Sequence, residues 1–363
     1  MNPADRTFLS RAFTYAYRGC GYVSPNPMVG CIIVKEGRII STGFHHRFGG
    51  DHAEVDAIKR CRESLEGSTL YVSLEPCSHF GKTPPCADLI IQKKIKRVVV
   101  GFEDPNPLVA GRGVARLREA GIEVEVVSKD SHSRFYRKFT KYITTPYPFV
   151  TIKSAQTLDG KIAETDGKSK WITNENSRQL VQHLRTRNDA ILTTSKTVTA
   201  DDARLNVRDK KKFSPLRAML SSHLFFNNDL FFFRNEDKKS VIIVPEGAVA
   251  PQDVKAQLDW FQIQIKYVKP DSNGRPDLDE SLRMLHEMGI TSVLVEAGAG
   301  LTAEFINRGL FDEMVLFIAP KIIGPGRNLF EGLEYFGLDS PMQLKVNSVR
   351  NFNGDTAIFL GRA

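Results

Sequence analysis

A histidine, a glutamate and two cysteines occur in an order that suits metal-assisted chemistry. His52 and Glu54 are separated by one residue, Cys77 follows Pro76, and Cys86 comes after a further eight residues. One imidazole and two thiolates form a three-ligand zinc set that leaves the fourth tetrahedral position open for water. Two thiolates also neutralise the dication, and metal binding keeps them deprotonated. We therefore predict one zinc ion per chain, held by His52, Cys77 and Cys86.

Glu54 is predicted to face the metal-bound water without binding the metal. Such a carboxylate accepts a proton from the water and returns it to a ring nitrogen or a leaving amine. The alternative interpretation is that these residues have no shared function: the two cysteines would be small buried residues, and the histidine and the glutamate would lie on a helix surface. The ordered set favours the metal site. The other cysteines have no partner at ligand spacing and are expected to be core or helix-surface thiols (Cys20, Cys31 and Cys61).

A second candidate site lies near the C-terminus, where an apolar run ends at a glycine-rich turn. Residues 292–296 read Ser-Val-Leu-Val-Glu and precede Ala297-Gly298-Ala299-Gly300, with a helix predicted from Leu301. A strand, a glycine turn and a helix N-terminus suit a phosphate group, because free N–H groups and the helix dipole point at it. The match to the dinucleotide fingerprint is weak, since no acidic residue follows about 20 positions later. A tight turn that needs glycine is the alternative.

Strands and helices alternate around the first motif. Apolar spacing predicts helices over 6–18, 52–62, 86–94, 113–120 and 131–142, and strands over 28–34, 38–43, 69–74, 97–101 and 123–127. This alternation implies one sheet covered on both faces, a three-layer α/β sandwich. His52 and Cys86 open predicted helices and Cys77 follows a strand, so helix dipoles favour thiolate there.

Two prolines mark a domain boundary. The segment Thr144-Thr145-Pro146-Tyr147-Pro148 breaks both patterns, so we predict domains at 1–145 and 146–363. Strands are predicted in the second domain over 149–155, 189–193, 241–244, 292–296 and 314–320, with helices between several of them. The aromatic run 225–233 is expected to be buried strand, and the charge runs 210–212 and 236–239 to be solvated loops.

Composition narrows the class of protein. The 363 residues, 41% hydrophobic and 25% charged, exclude a disordered, collagen-like or disulfide-scaffold protein. No apolar run approaches the roughly 18 residues of a membrane span, and no secretory leader is evident, so we expect no membrane partner. Five cysteines confined to the first quarter fit a reducing cytoplasm better than a disulfide framework.

The formal charge of +8 is concentrated in the first half. Residues 1–147 carry 22 Lys and Arg against 15 Asp and Glu. An anionic partner, either nucleic acid or a phosphorylated small molecule, would suit this surface. Charge alone, however, favours a basic surface with no specific partner.

The first motif resembles the cytidine-deaminase-like zinc deaminases, which share His-Ala-Glu, Pro-Cys and a second cysteine. That class usually has two residues between the cysteines. The longer loop 78–85, and Ser24-Pro-Asn-Pro-Met-Val-Gly30, resemble the pyrimidine deaminase domain of bacterial riboflavin biosynthesis. Residues 149–163, 170–173 and 189–208 resemble its reductase half. The chain is thus similar to the bifunctional deaminase–reductases of that pathway from about residue 8 onward, with weaker agreement over 210–277.

The resemblance implies an α/β protein of two domains. The N-terminal domain would be a three-layer cytidine-deaminase-like fold and the C-terminal domain a dihydrofolate-reductase-like fold. The implied reactions are zinc-dependent hydrolytic deamination of 2,5-diamino-6-(5-phosphoribosylamino)pyrimidin-4-one, then NADPH-dependent reduction to 5-amino-6-(5-phosphoribitylamino)uracil. Phosphorylated pyrimidines, rather than nucleic acid, are the implied partners. Because the family is oligomeric, we expect a homo-oligomer, either a dimer or a tetramer.

The resemblance also implies roles for individual residues. It makes His52, Cys77 and Cys86 the zinc ligands and Glu54 the catalytic proton shuttle. Asn26 would hold the pyrimidine edge, and His79 and Lys82 the ribose phosphate. The substrate positions of the reductase half fall on Lys153, Ser169, Arg185, Leu205, Arg208 and Glu296. Its cofactor positions fall on Ala155, Trp171, Thr197, Asp201, Ser222, Gly298, Ala299, Gly300, Leu301, Thr302, Ala303 and Glu304.

Particular chemistry is expected at some of these positions. Arg185 and Arg208 suit a phosphate, because a guanidinium fork matches its oxygens. Lys153 is a candidate residue near the point of hydride transfer, and Asp201 is a candidate for organising protonation. Trp171 is expected either to stack on a flat ring or to belong to the core. The family usually has Asp-Ser after the third strand, where this chain has Ser221-Ser222. Loss of that carboxylate is expected to loosen the loop.

Two other classes of function compete with the bifunctional enzyme. A nucleic-acid base deaminase with an RNA-binding half would explain the basic first half, but the second half is nearly neutral and carries no RNA-binding signature. A structural zinc module without catalysis would need four protein ligands, and three are apparent.

Overall fold

A computed structural model describes residues 2–78, 84–107, 109–209, 213–227, 229–234, 237–334 and 336–362. Contacts between Cα atoms divide the chain into two compact units, Met1–Pro146 (unit 1) and Tyr147–Ala363 (unit 2). Helices within the described residues are all too short or too polar to cross a lipid bilayer.

Unit 1 has a mixed sheet between two layers of helices. Its strands, among the described residues, are β1 (Gly30–Lys35), β2 (Arg38–Phe44), β3 (Thr69–Val72), β4 (Arg97–Val100) and β5 (Glu123–Val126). They lie in the order β2-β1-β3-β4-β5, with β1 antiparallel to both neighbours and the other pairs parallel. The helices are α1 (Pro3–Ala16), α2 (Ala53–Arg60), α3 (Cys86–Gln92), α4 (Arg112–Glu119) and α5 (Asp130–Thr144).

Alternation of side chains along β1 separates the two core layers of unit 1. Ile32 and Val34 pack with Leu9 and Ala12 of α1, whereas Ile33 packs on the opposite face with α2 and α3. Successive residues of a strand point to opposite faces, so one apolar strand serves both layers. The three-layer arrangement predicted from the sequence is confirmed.

Unit 2 is built on a larger sheet. Its strands are β6 (Phe149–Thr157), β7 (Lys161–Glu164), β8 (Ala190–Thr194), β9 (Leu216–Leu220), β10 (Ser240–Pro245), β11 (Gln264–Val268), β12 (Ser292–Val295), β13 (Glu313–Ala319), β14 (Gly326–Asn328), β15 (Leu344–Phe352) and β16 (Asp355–Arg362). Nine of them form the sheet β11-β10-β9-β8-β12-β6-β13-β16-β15, and β7 pairs with β14. The pairs from β11 to β13 are parallel, and β16 is antiparallel to both neighbours.

Helices cover this sheet and complete its core. They are α6 (Glu175–Thr186), α7 (Ser195–Asp201), α8 (Gln252–Trp260), α9 (Leu278–Glu287) and α10 (Ala299–Asn307). Parallel strands are buried on both faces, which explains the uninterrupted apolar runs of β10 and β12. Unit 2 is therefore an α/β domain, as predicted.

The prediction of a buried strand over 225–233 is wrong. Its described residues, 225–227 and 229–233, form irregular structure and turns after β9, and the aromatic side chains among them are divided between core and solvent. Phe232 and Phe233 are buried, whereas Phe225 is 64% exposed. A run of aromatic residues signals burial, but it has no period of two to specify a strand.

Asp237, in the charge run predicted to be solvated, instead forms an ion pair with the fully buried Arg217 of β9. The run 210–212 lies outside the described residues.

A buried ion pair ties α1 to β4 in unit 1. Asp5 is 1% exposed, and its carboxylate accepts hydrogen bonds from Arg97 at 2.9 and 3.1 Å and from the Tyr71 hydroxyl at 2.6 Å. The hydrogen bond from Arg97 is the main reason why the pKa of Asp5 falls to about 2. Removing one partner from such a pair leaves a charge buried without compensation.

We expect Arg97→Met to destabilise unit 1 by about 3 kcal/mol, because Asp5 loses the cation that offsets its desolvation. The matched control is Arg38→Met, since Arg38 pairs with Glu63 where both side chains are exposed (65% and 45%). The control should change the free energy of unfolding by less than about 1 kcal/mol.

Urea unfolding followed by far-ultraviolet circular dichroism measures both changes. Tryptophan fluorescence provides an internal standard, because the two tryptophans of the chain, Trp171 and Trp260, belong to unit 2. Equal effects of the two arginine substitutions would contradict the prediction.

Candidate metal centre and ligand cleft

Three side chains of unit 1 converge where β3, α2 and α3 meet. His52 is the residue before α2, Cys86 is the first residue of α3, and Cys77 lies in the loop after β3. The His52 Nδ1 atom lies 3.6 Å from the Cys77 Sγ atom and 3.4 Å from the Cys86 Sγ atom. The three potential ligand atoms lie within 4.8 Å of one another. The structure thus brings together all three residues predicted to bind zinc.

The charges of these groups suit a divalent metal. The Cys86 thiol donates a hydrogen bond to the Cys77 sulfur, and together with His52 this lowers the pKa of Cys77 to about 4. The Cys86 backbone N–H also donates to the Cys77 sulfur, at 3.3 Å. Two sulfurs and an imidazole nitrogen form a donor set that zinc prefers. No fourth His, Cys, Asp or Glu joins this set in the part of the chain that the structure describes, so the donor set fits a catalytic zinc ion.

Glu54 lies in the first turn of α2 and is not a member of the ligand set. Its side chain is buried at 3% exposure. Burial raises the pKa of Glu54 to about 7, although the neighbouring His52 opposes this shift. A carboxyl group with a pKa near neutrality both accepts and returns protons efficiently.

A hydrogen-bonded histidine fixes the predicted substrate residue Asn26. The His45 Nδ1 atom contacts the Asp51 carbonyl oxygen at 2.8 Å, so it carries the proton. The Nε2 atom therefore accepts from the Asn26 side-chain amide at 3.2 Å. His45 is 2% exposed, and its ring centroid lies 5.6 Å from that of His52. Sequence reasoning assigned His45 no role, because only its three-dimensional position reveals it.

Glu75 and Gly113 fix the loop that carries Cys77. The Glu75 carboxylate is buried and accepts hydrogen bonds from the backbone N–H groups of Asp104, Gly111 and Val114 at 3.0 to 3.1 Å. A Cβ atom on Gly113 would lie 1.9 Å from the Pro76 carbonyl oxygen. Only glycine allows this approach. His79 and Lys82, predicted to hold the ribose phosphate, lie outside the described residues.

Unit 2 contains a cleft of about 1610 Å³ at the carboxyl ends of β6, β8, β9 and β12. Ligands of open parallel sheets bind at this edge. The predicted residues that line it are Lys153, Ala155, Ser169, Trp171, Arg185, Thr197, Asp201, Leu205, Arg208, Ser222, Glu296, Gly298, Ala299, Gly300, Leu301 and Glu304. Thr302 and Ala303 do not line it, because they face inward from α10 and are 1% and 2% exposed.

The glycine turn before α10 is open to the cleft. Gly298 has φ −75°, which any residue adopts, and a Cβ atom on Gly298 or Gly300 would meet nothing within 4 Å. The fold therefore does not require glycine at either position, contrary to the tight-turn alternative. Both glycines leave the helix N-terminus accessible to a ligand phosphate.

Arg185 and Glu296 form a two-pronged ion pair in the cleft. The Arg185 guanidinium donates to the Glu296 carboxylate at 2.6 and 2.9 Å and to the Asn206 carbonyl oxygen at 2.9 Å. Burial opposes ionisation of Glu296, but the charge of Arg185 outweighs it and lowers the pKa of Glu296. These contacts engage three of the five N–H donors of Arg185, so the expectation that Arg185 also binds a phosphate stays a prediction.

Lys153 and Asp201 lie near this ion pair. Burial lowers the pKa of Lys153, although the charge of Glu296 partly opposes the shift. The Asp201 carboxylate accepts a hydrogen bond from the Ser169 hydroxyl at 3.1 Å. A cation, a carboxylate and a hydroxyl thus share one side of the cleft.

Ser221 closes the loop that was expected to be loosened by the missing carboxylate. Its hydroxyl donates to the His223 carbonyl oxygen at 2.7 Å and accepts from the His223 N–H at 3.3 Å. Ser222 is exposed beside it and lines the cleft.

Known proteins resemble both units. The model of the cytidine and deoxycytidylate deaminase zinc-binding region matches residues 3–102, and that of the RibD C-terminal domain matches residues 148–358. Riboflavin biosynthesis protein RibD of Aquifex aeolicus is 38% identical, with 99% of this chain and 98% of that protein covered. The Escherichia coli protein of that name is 36% identical, with 98% and 99% covered.

Solved structures agree along the whole chain. Acinetobacter baumannii RibD has a TM-score of 0.88 at 35% identity, with 99% of both chains covered. A diaminohydroxyphosphoribosylaminopyrimidine deaminase/5-amino-6-(5-phosphoribosylamino)uracil reductase of Thermotoga maritima has a TM-score of 0.87 at 38% identity, also with 99% of both chains covered. These matches confirm the resemblance stated from the sequence and the fold expected for each half.

We expect Cys86→Ser to lose bound zinc, because a serine hydroxyl does not replace a thiolate ligand. Cys61→Ser is the matched control, since Cys61 is half-buried and lies outside the ligand set. Elemental analysis after gel filtration should find about one zinc per chain in the control and almost none in the Cys86 variant. Full zinc occupancy in both variants would rule out the assigned ligand set.

Proposed function

Since the chain belongs to the RibD family of bifunctional riboflavin-biosynthesis enzymes, we propose that it acts on 2,5-diamino-6-(5-phosphoribosylamino)pyrimidin-4-one. The chain is a deaminase and a reductase, and it uses zinc and NADPH. We assign the deaminase to residues 1–145 and the reductase to residues 146–363. The end product is then 5-amino-6-(5-phosphoribitylamino)uracil. The convergence of His52, Cys77 and Cys86 beside the buried Glu54 is the observation that carries this proposal.

In the deaminase site, His52, Cys77 and Cys86 would hold the zinc ion. When bound, zinc lowers the pKa of water and so supplies a nucleophile at neutral pH. Glu54 accepts the first proton that this water loses and transfers it to the ring nitrogen, and then carries the second proton of the same water to the departing amino group. A carbon–oxygen bond replaces the carbon–nitrogen bond, and ammonia leaves. The burial of Glu54 excludes competing water from the proton path.

The substrate is held around this centre by polar groups of unit 1. The Asn26 amide nitrogen donates to His45, which leaves the amide oxygen to accept from the pyrimidine. His79 and Lys82 are proposed to bind the ribose phosphate, because a phosphate needs fixed donors and positive charge.

In the reductase site, residues at the carboxyl ends of parallel strands would hold both NADPH and the deaminated product. NADPH supplies the hydride for the first carbon of the ribose. Gly298 and Gly300 offer backbone N–H groups to its phosphates. Lys153 lies close to Glu296 and Asp201, and we assign it to the reacting end of the sugar. Arg208, whose guanidinium is exposed in the cleft, would bind the substrate phosphate.

We also propose that the protein is a homo-oligomer, either a dimer or a tetramer. Val346 and Val349 on the edge strand β15 are 57% and 59% exposed. Exposed apolar side chains on a sheet edge favour association with a second copy. We place the protein in the cytoplasm, where Cys77 and Cys86 remain reduced for the metal.

A two-step assay tests the proposal. The purified chain should release ammonia from the phosphoribosyl diaminopyrimidine without NADPH, and should oxidise NADPH only after that step. Single-stranded RNA and DNA serve as the alternative substrates, because a base deaminase would act on them and would ignore NADPH. Deamination of nucleic acid with no NADPH oxidation would overturn the proposal.

We expect Glu54→Gln to retain zinc while ammonia release falls by a factor of about 10² to 10⁴, because the amide cannot accept the proton. NADPH oxidation with the deaminated intermediate should be unchanged. Glu63→Gln is the matched control, since the Glu63 side chain pairs with Arg38 where both side chains are exposed. Loss of zinc from the Glu54 variant would show that this carboxylate has a different role.

We expect Arg208→Gln to raise the KM for the phosphorylated intermediate by about tenfold or more, because a charge-assisted contact with phosphate is lost. The parent protein and the Arg208→Gln variant should bind the dephosphorylated intermediate equally weakly. Reductase kinetics with the two substrates separate these cases, and a matching rise in KM for both substrates would contradict the phosphate assignment.

A further inference from the structure

Residues Ser169–Thr173, here called the Trp171 loop, form part of the wall of the reductase cleft. The loop connects β7 to α6 and carries an indole that is 61% exposed. An aromatic ring so exposed has no packing role of its own, but it offers a flat apolar face to a planar ligand.

A lysine outside the cleft holds this loop. The Lys321 ammonium donates to the carbonyl oxygen of Trp171 at 3.0 Å and to that of Ile172 at 2.8 Å. Lys321 follows β13, whose residues pair with β6 in the register Phe317↔Ala155. The lysine therefore ties the loop to the strands that carry the reacting end of the cleft.

Two further residues, Arg178 and Lys170, limit the movement of the Trp171 loop. The Arg178 guanidinium lies 4.7 Å from the centroid of the Trp171 ring and donates to the Thr173 carbonyl oxygen at 2.6 Å. Lys170 donates to the backbone carbonyl oxygen of Asp201 at 2.8 Å. These contacts come from α6 and from the loop itself, whereas Lys321 adds a connection to the β13 side of the cleft.

We propose that Lys321 is a positioning residue for the reductase, which holds the Trp171 indole against the nicotinamide ring of NADPH. This inference rests on the proposed function of the cleft. Two carbonyl oxygens that share one ammonium receive charge-assisted hydrogen bonds. Without that ammonium, NADPH binding has to order the loop, which weakens binding without altering the chemical step.

Single-tryptophan proteins allow a direct test. In a Trp260→Phe background, Trp171 is the remaining tryptophan and reports on the loop by its emission and by energy transfer to NADPH. The variants are Lys321→Met, which removes both hydrogen bonds, Lys321→Gln, which keeps a neutral donor, and Lys321→Arg, which keeps the charge. Lys255→Met on the exposed side of α8 is the matched control.

We expect Lys321→Met to raise the KM for NADPH by about tenfold, equivalent to about 1.4 kcal/mol of binding, with kcat changed by less than about twofold. Acrylamide should quench Trp171 more strongly in this variant, and energy transfer to NADPH should fall. Arginine should restore the parent values, and glutamine should give an intermediate KM. Deamination, which takes place in unit 1, should be unaffected, and an unchanged far-ultraviolet circular dichroism spectrum shows that unit 2 of each variant is folded.

Either of two results would overturn this inference but not the proposed reductase function. The first is a KM for NADPH that is the same in Lys321→Met and Lys255→Met, and the second is that Trp171 quenching and energy transfer are unchanged in Lys321→Met. A parent protein that deaminates its substrate but never oxidises NADPH would overturn the proposed reductase function, and this inference with it.

Discussion

Burial of ionisable groups whose charges a metal ion can balance is the constraint on which unit 1 depends. Cys86 and Glu54 are buried, and the half-buried Cys77 lies beside them. Desolvation would normally neutralise such groups. A dication reverses this preference for the two sulfurs, whereas burial raises the pKa of the Glu54 carboxyl group to about 7. The helix starts, the Glu75 hydrogen bonds and the close approach of Gly113 all serve to hold these groups within reach of one ion.

In unit 2, buried charges are balanced by side chains of the protein itself. Arg185 and Glu296 neutralise each other in the cleft, and the charges of both influence the pKa of the neighbouring Lys153. A buried pair of this kind contributes little net stability, because desolvation offsets most of the attraction. Its value lies in preorganisation, since polar groups that are already oriented need not rearrange when a ligand arrives.

The sequence predicted those features that depend on local patterns. Period-2 and period-3.6 spacing located the α-helices and strands that the structure describes in unit 1, and the order His52, Glu54, Cys77, Cys86 identified the metal centre. Features that depend on contacts between distant residues could not be found in this way. The hydrogen bond from Asn26 to His45 and the pairing of Arg185 with Glu296 join residues from separate elements, and neither has a local signal. The prediction of a strand over 225–233 failed because hydrophobicity without a period indicates burial but does not specify the backbone conformation.

Each hydrogen-bonded sheet is confined to one side of the break between Pro146 and Tyr147, and each side has its own apolar core. Nothing in either ladder of strands requires the other half to be on the same polypeptide. A continuous chain therefore has a consequence for the cell rather than for folding: ribosomes make the two catalysts in strict one-to-one stoichiometry. The supply of intermediate and the capacity to consume it then rise and fall together with a single message.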